Sequence, residues 1–126
     1  MRKYNLGIDI GGTSIKIGLF DIDGNLLEVF TLKTNLRDHG RYILFEIASL
    51  IKKKVDFQEI KAIGFGVPGP VANNIVYSCV NLGWGRKDIA SEFKEIIKDD
   101  EILIKVANDA NLAAAGEIYK GVASGY

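Results

Sequence analysis

Residues 6–17 read Leu-Gly-Ile-Asp-Ile-Gly-Gly-Thr-Ser-Ile-Lys-Ile, and this stretch narrows the possible folds more than any other. Two apolar runs, Leu6 to Ile10 and Ile15 to Phe20, flank Gly11-Gly12-Thr13. That is the pattern of a β-hairpin whose turn is almost bare of side chains. Gly11 and Gly12 can take φ > 0 there and leave their N–H groups uncovered, Thr13 adds a hydroxyl, and Asp9 places a carboxylate at the end of the first strand. Such groups suit phosphates and Mg²⁺. A Gly-Gly pair alone can be a tight turn and nothing more; Asp9 beside it and Lys16 just after it give the turn a chemical reading. The spacing fits neither the P-loop pattern nor the glycine fingerprint that opens a dinucleotide-binding helix.

After the hairpin, Asp21-Ile22-Asp23-Gly24-Asn25 supplies turn residues, and Leu26 to Lys33 resumes with the strand formers Val29, Phe30 and Thr31. Connections this short join antiparallel neighbours, so three antiparallel strands open the chain. From about Asp38 the apolar period becomes helical, with Ile43, Ile47, Leu50 or Ile51 and Val55 on one stripe and Lys52, Lys53 and Lys54 as a solvated end. Lys61 to Val67 then reads as a buried parallel strand. It stops at Pro68-Gly69-Pro70, a rigid corner that can be a plain terminator or a ligand contact.

Val71 to Val80 reads as a short excursion turning at Asn73-Asn74, and Asn81-Leu82-Gly83-Trp84-Gly85 as a loop with Trp84 as an apolar plug, ahead of the alternative of a wall near a sugar. Asp88 to Lys98 predicts a second helix, with Ile89, Phe93 and Ile96 or Ile97 inward. Ile102 to Ala107 predicts another buried strand, ending at Asn108-Asp109. Ala110 to Lys120 predicts a last helix, capped by Asn108 or Asp109 and closed by Gly121, in which Gly116 and Ala113 mark the close approach of another backbone. The order is three antiparallel strands, then helix, strand, helix, strand, helix, which makes an α/β domain with helices on both faces of one mixed sheet. Asp9, the Pro68 corner and Asp109 all fall at C-terminal strand ends, where parallel strands bring them to one cleft.

Composition removes several function classes. The 126 residues amount to about one domain. Lys plus Arg and Asp plus Glu number 16 each, so no net basic charge points to nucleic acid, and a small molecule is the expected partner. Cys79 and His39 are the sole residues of their types, which excludes an intramolecular disulfide and leaves no zinc-ligand cluster. Neither a signal-peptide core nor a membrane-length apolar run is present, and a soluble cytoplasmic protein is expected.

Four ordered motifs carry a resemblance: Asp9-Ile-Gly-Gly-Thr13 with Lys16, Gly66-Val-Pro-Gly-Pro70, Asn81-Leu-Gly-Trp84, and Asn108-Asp-Ala-Asn-Leu-Ala-Ala-Ala-Gly-Glu117. From Tyr4 to about Gly121 the chain resembles the N-terminal domain of the ROK family of repressors, open reading frames and kinases. The resemblance implies a ribonuclease-H-like (actin-like ATPase) domain over residues 1–121, with a five-stranded sheet, and the start of a link to a C-terminal domain at residues 122–126. It implies ATP and Mg²⁺ as cofactors, with Gly11, Gly12 and Thr13 on the phosphates, Asp9 near the metal, and Lys16 on the phosphate side. It places Gly69, Asn81 and Asn108 on a hexose and makes Asp109 the base facing the sugar hydroxyl. The partners it implies are the hexose, ATP and the C-terminal domain of the same protein, with a homo-oligomer compatible.

The family's kinases continue into a second domain with a Gly-Thr-Gly phosphate segment, a Glu-x-Gly-His sugar site and a cysteine-rich zinc motif. None of these is in this sequence, so a fragment is expected. The family's repressors carry a helix-turn-helix ahead of this domain, and the direct start at the strand favours the kinase branch. The first reading is therefore the N-terminal half of an ATP-dependent hexose kinase, with glucose leading and N-acetylmannosamine-like sugars or fructose behind it. The alternatives are a non-catalytic regulatory or sugar-sensing domain of the family and another phosphotransferase of the superfamily. On this reading the 126-residue chain melts cooperatively yet releases no ADP with glucose, ATP and Mg²⁺, because an open cleft lets water weaken each electrostatic contact. A thermal melt beside a coupled ADP assay checks this; robust glucose phosphorylation by the chain alone would contradict it.

Overall fold

The computed structural model describes residues 2–108. The expected last helix, with Ala113, Gly116 and Gly121, lies outside the described residues, as does Asp109. Among the described residues, eight strands and two longer helices follow one another: β1 (Tyr4–Ile10), β2 (Ser14–Asp21), β3 (Leu26–Lys33), α1 (Ile43–Lys54), β4 (Ile60–Val67), β5 (Val71–Ala72), β6 (Ile75–Val76), β7 (Lys87–Asp88), α2 (Ile89–Ile97) and β8 (Leu103–Asn108). Five of the strands form one mixed sheet in the order β3-β2-β1-β4-β8. β1 is antiparallel to β2 and β2 to β3, while β4 runs parallel to both β1 and β8.

Alternation sorts each strand onto two faces. Leu6, Ile8 and Ile10 of β1 pair with Leu19, Ile17 and Ile15 of β2. The parallel register sets Leu6 and Ile8 beside Ile63 and Phe65, and these beside Ile104 and Val106. All of them belong to one buried cluster with Ile43, Leu44, Ile47 and Ile51 of α1 and Ile89 and Phe93 of α2. The Phe93 ring meets Phe65 edge-on at 5.2 Å, which fixes α2 over the centre of the sheet. Both described helices thus pack on the same face. The opposite face carries small residues across its middle, with Gly7 beside Gly18 and Gly64, so a layer there can lie close to the backbone.

The predicted strands and turns are present where the pattern put them. Asp21 closes the β2–β3 turn by accepting from the N–H groups of Asp23 and Asn25, and Gly24 takes φ 91°. Asn73 and Asn74 turn the β5–β6 hairpin with φ 52° and 67°. The first helix differs from expectation. It starts at Ile43 rather than near Asp38, and Val55 is an extended residue after it, so the stripe is Ile43, Leu44, Ile47, Ala48 and Ile51. The reason lies in Asp38, His39 and Gly40, which all adopt left-handed backbone (φ 50°, 59° and 68°) and cannot continue into a right-handed helix. Of the small sheet β5-β6-β7, the turn at Asn73-Asn74 matches expectation, whereas the pairing of β6 with β7 does not follow from the pattern, since these strands are two residues long and leave no periodic signal.

Arg2 ties the start of β1 to the segment before β8. Its guanidinium donates to the carbonyls of Phe57 and Ile60 (3.1 and 2.7 Å) and to both carboxylate oxygens of Asp99 (3.2 and 3.0 Å). Burial opposes ionisation of Asp99, but the hydrogen bonds and charge of Arg2, with the N–H groups of Glu101 and Ile102, outweigh it and hold the carboxyl below its usual range. A depressed folded-state pKa means that this stabilisation is present above the unfolded Asp value of about 4 and is lost as pH falls through the folded value. Asp99→Asn should therefore cost about 1–2 kcal/mol at pH 7. The gap to wild type should close as urea melts are repeated below about pH 4; a gap independent of pH would contradict the assignment.

Candidate functional site

Three parallel strands end together. Asp9 of β1 lies beside Gly66 of β4, and Gly66 beside Ala107 of β8, so one row crosses the sheet at its C-terminal edge. At the usual strand spacing the outer members of that row are about 10 Å apart. Asp9 also faces Lys16 across the hairpin. None of the ion pairs among the described residues includes Asp9. An uncommitted carboxylate is the hard oxygen donor that Mg²⁺ takes, so the residue type fits that ion. Among the described residues no group of three or more His, Cys, Asp or Glu side chains gathers for a metal.

The glycine turn differs in detail from expectation. Neither Gly11 nor Gly12 has positive φ. Gly11 is not an open donor either, because its N–H bonds to the carbonyl of Ser14 at 3.0 Å. What requires glycine at position 11 is space: an added Cβ would stand 2.9 Å from that same carbonyl oxygen. The turn's open donors are instead the N–H groups of Gly12 and Thr13, which have no backbone partner among the described residues. An added Cβ on Gly12 would lie 3.8 Å from the Cβ of Asn81. The structure thus brings the expected phosphate turn and one expected sugar residue into contact distance.

The Pro68-Gly69-Pro70 corner is tied on several sides. A Cβ on Gly69 would sit 2.2 Å from the carbonyl oxygen of Ser78, so only glycine allows this approach. Tyr77 N–H donates to the Pro70 carbonyl at 3.0 Å, and the Cys79 thiol lies 3.5 Å from the Pro68 carbonyl. The Asn108 side-chain amide donates to the Gly69 carbonyl, which joins the ends of β4 and β8. Asn74 adds a second tie, accepting from Val106 N–H at 2.9 Å. Gly69 is buried, and Asn108 holds the corner with its amide nitrogen.

Asn81 is exposed, on a loop closed by paired bonds between Cys79 and Trp84 (2.9 and 3.0 Å). The Trp84 indole N–H donates to the Gly40 carbonyl at 3.0 Å, and the ring is buried, as a plug should be. Gly40 and Gly83 let the two segments touch: added Cβ atoms would stand 2.3 Å from the Leu82 carbonyl oxygen and 2.8 Å from His39 Cα. The left-handed turn at residues 38–40 is therefore the seat of the Asn81 loop. Sequence reasoning missed it because left-handed Asp and His residues carry no pattern of their own. It also missed Thr34, which follows β3 and bonds to the glycine turn. A surface hollow of about 660 Å³, lined by Lys52, Lys53, Lys54, Lys98 and neighbours, shares no residue with this edge.

A model of the ROK family matches residues 5–126. A glucokinase from Halalkalibacterium halodurans is 30% identical over 130 residues, covering 98% of this chain and 38% of that protein. The solved ROK family glucokinase of Streptomyces griseus, in complex with glucose and AMPPNP, aligns with a TM-score of 0.73 at 28% identity over 98% of this chain and 38% of its own. The inorganic polyphosphate/ATP-glucomannokinase of Arthrobacter sp. strain KM aligns with a TM-score of 0.74 at 27% identity, over 98% and 51%. The chain thus spans less than two-fifths of the length of the Halalkalibacterium relative. These matches and the strand order establish the expected ribonuclease-H-like, actin-like α/β fold.

The tightness of the corner can be measured. Gly69→Ala should lower stability by about 2 kcal/mol, since backbone atoms of Ser78 must shift to admit the methyl group. Gly85→Ala, where an added Cβ meets nothing within 4 Å, is the control and should stay within about 0.5 kcal/mol of wild type in the same urea titration. Equal curves for the two variants would show that the corner is looser than described.

Proposed function

The chain belongs to the ROK family, and from that premise we propose that it forms the N-terminal half of an ATP-dependent sugar kinase acting on a hexose, glucose first. The observation that carries the reading is the meeting of parts at one sheet edge: the open amides of Gly12 and Thr13, Asn81 against Gly12, and the Gly69–Asn108 tie one strand away. Phosphoryl transfer needs charge neutralised on the phosphates and a hydroxyl held in line, and little covalent help. The proposed division of labour follows that need.

The Gly12 and Thr13 amides and the Thr13 hydroxyl take phosphate oxygens, Gly11 shapes the turn, and Lys16 adds positive charge from β2. Asp9 is the residue that would hold Mg²⁺, which supplies neutralisation of charge on the phosphates when bound. Asn81, with Gly69 and Asn108 at the corner, orients the sugar. Asp109, next after Asn108, accepts the proton of the attacking hydroxyl as its oxygen bonds to the γ-phosphorus and ADP departs. A weakly basic carboxylate suffices, because the proton can leave late in a loose transition state. The domain division at residue 121 and a C-terminal domain completing the cleft belong to the same proposal. Among the described residues no helix is long and apolar enough to cross a membrane; a cytoplasmic setting belongs to the same proposal.

Asp109→Asn, made in the protein that carries both halves, tests the assignment. Turnover with glucose should fall by about a thousandfold or more with sugar affinity nearly unchanged, because the amide keeps the shape but cannot accept the proton. Parallel losses in affinity and turnover would make Asp109 a binding or folding residue instead. Absence of ADP release with any hexose in the unmutated protein would overturn the kinase reading itself.

A further inference from the structure

Two carbonyl groups of the glycine turn converge on one residue. The Thr34 hydroxyl donates to the Gly11 carbonyl at 2.7 Å, and the Thr34 N–H donates to the Thr13 carbonyl at 3.0 Å. Thr34 is 6% exposed, one of two buried polar residues among the described residues, and follows directly on β3, where Lys33 pairs with Ser14. Next to it, Asn35 donates to Glu46 of α1 at 2.7 Å, so the segment is anchored on its other side as well. A single residue therefore grips the turn from below with both of its donors.

We infer that Thr34 is a positioning residue for the phosphate-binding turn. This inference rests on the reading of residues 11–13 as the phosphate turn. The step from hydrogen bond to function is the planarity of the peptide unit. In a trans peptide the C=O of one residue and the N–H of the next point in opposite directions. Fixing the Gly11 carbonyl toward Thr34 turns the Gly12 N–H away from Thr34, outward from the buried side. Holding the Thr13 carbonyl inward removes a second partial negative charge from the side an anion would approach. Without the hydroxyl, the peptide between Gly11 and Gly12 is flanked by two residues that lack Cβ atoms. It is then free to rotate its carbonyl toward the ligand, which repels phosphate.

The test uses Thr34→Val, which removes the hydroxyl and keeps the branched shape, and Thr34→Ser, which restores it. In the ¹⁵N-labelled protein that carries both halves, Thr34→Val should speed exchange of the bonded Gly11 amide about tenfold and weaken Mg·ATP binding, followed at Gly12 and Thr13, by about tenfold. Glucose affinity should change by less than about twofold, and Thr34→Ser should stay within about threefold of wild type on every measure. Gly11 exchange unchanged in Thr34→Val would overturn the proposal whatever the nucleotide does. So would equal losses of ATP and glucose affinity with exchange accelerated across the whole sheet, which marks a residue that serves folding alone. If Mg·ATP moves neither Gly12 nor Thr13 in wild type, the kinase reading of the turn fails and takes the phosphate role with it, while Gly11 exchange still decides whether Thr34 sets the turn.

Discussion

Close approach of backbone to backbone, permitted by missing Cβ atoms, is the constraint on which the candidate site depends. The Gly11 position faces the Ser14 carbonyl, Gly69 the Ser78 carbonyl, Gly40 the Leu82 carbonyl and Gly83 the His39 Cα, each nearer than a side chain would allow. Hydrogen bonds then hold what the glycines admit. Thr34 secures the first contact, Asn108 the second, and the Trp84 indole the third. The sheet supplies a rigid edge, because the register of β1, β4 and β8 brings Asp9, Gly66 and Ala107 into one row. Loops seated on such an edge inherit its precision.

The left-handed stretch Asp38-His39-Gly40 is where local preference yields to that arrangement. Two non-glycine residues with positive φ cost about 1–2 kcal/mol each relative to ordinary backbone. The Trp84 bond to Gly40 and the fit of Gly83 against His39 offset this by burying a large ring and satisfying its N–H. The outcome is a loop that presents Asn81 to solvent beside Gly12 while its base is packed. Strain held in place by surrounding contacts is common near functional sites, and here it shapes the entry to the sheet edge.

Most of the fold was legible because it is written in periodic apolar residues. Apolar runs flanking the glycine turn gave β1 and β2, buried-type apolar runs gave β4 and β8, the helical stripe from Ile43 gave α1, and Asn73-Asn74 gave a turn. The parts that were not legible share a cause: they are contacts between segments distant in sequence. Nothing local to Thr34 announces that Gly11 is its partner, and nothing near Gly40 announces Trp84. Likewise the Gly11-Gly12 pair suggested left-handed backbone, while the actual demand is room for the Ser14 carbonyl. The site residues were named through the ordered motifs, and the tertiary structure then distinguished amides that are committed, such as that of Gly11, from those that are open.

The central claim is that nucleotide phosphates and sugar meet at the C-terminal edge of β1, β4 and β8. A crystal structure of the protein with Mg·AMPPNP and glucose addresses it directly. The account predicts phosphate oxygens about 3 Å from the Gly12 and Thr13 amide nitrogens, with sugar hydroxyls beside Asn81 and the Gly69–Asn108 corner. Phosphates bound at the opposite edge, among Lys52, Lys53, Lys54 and Lys98, with the glycine turn empty, would contradict it.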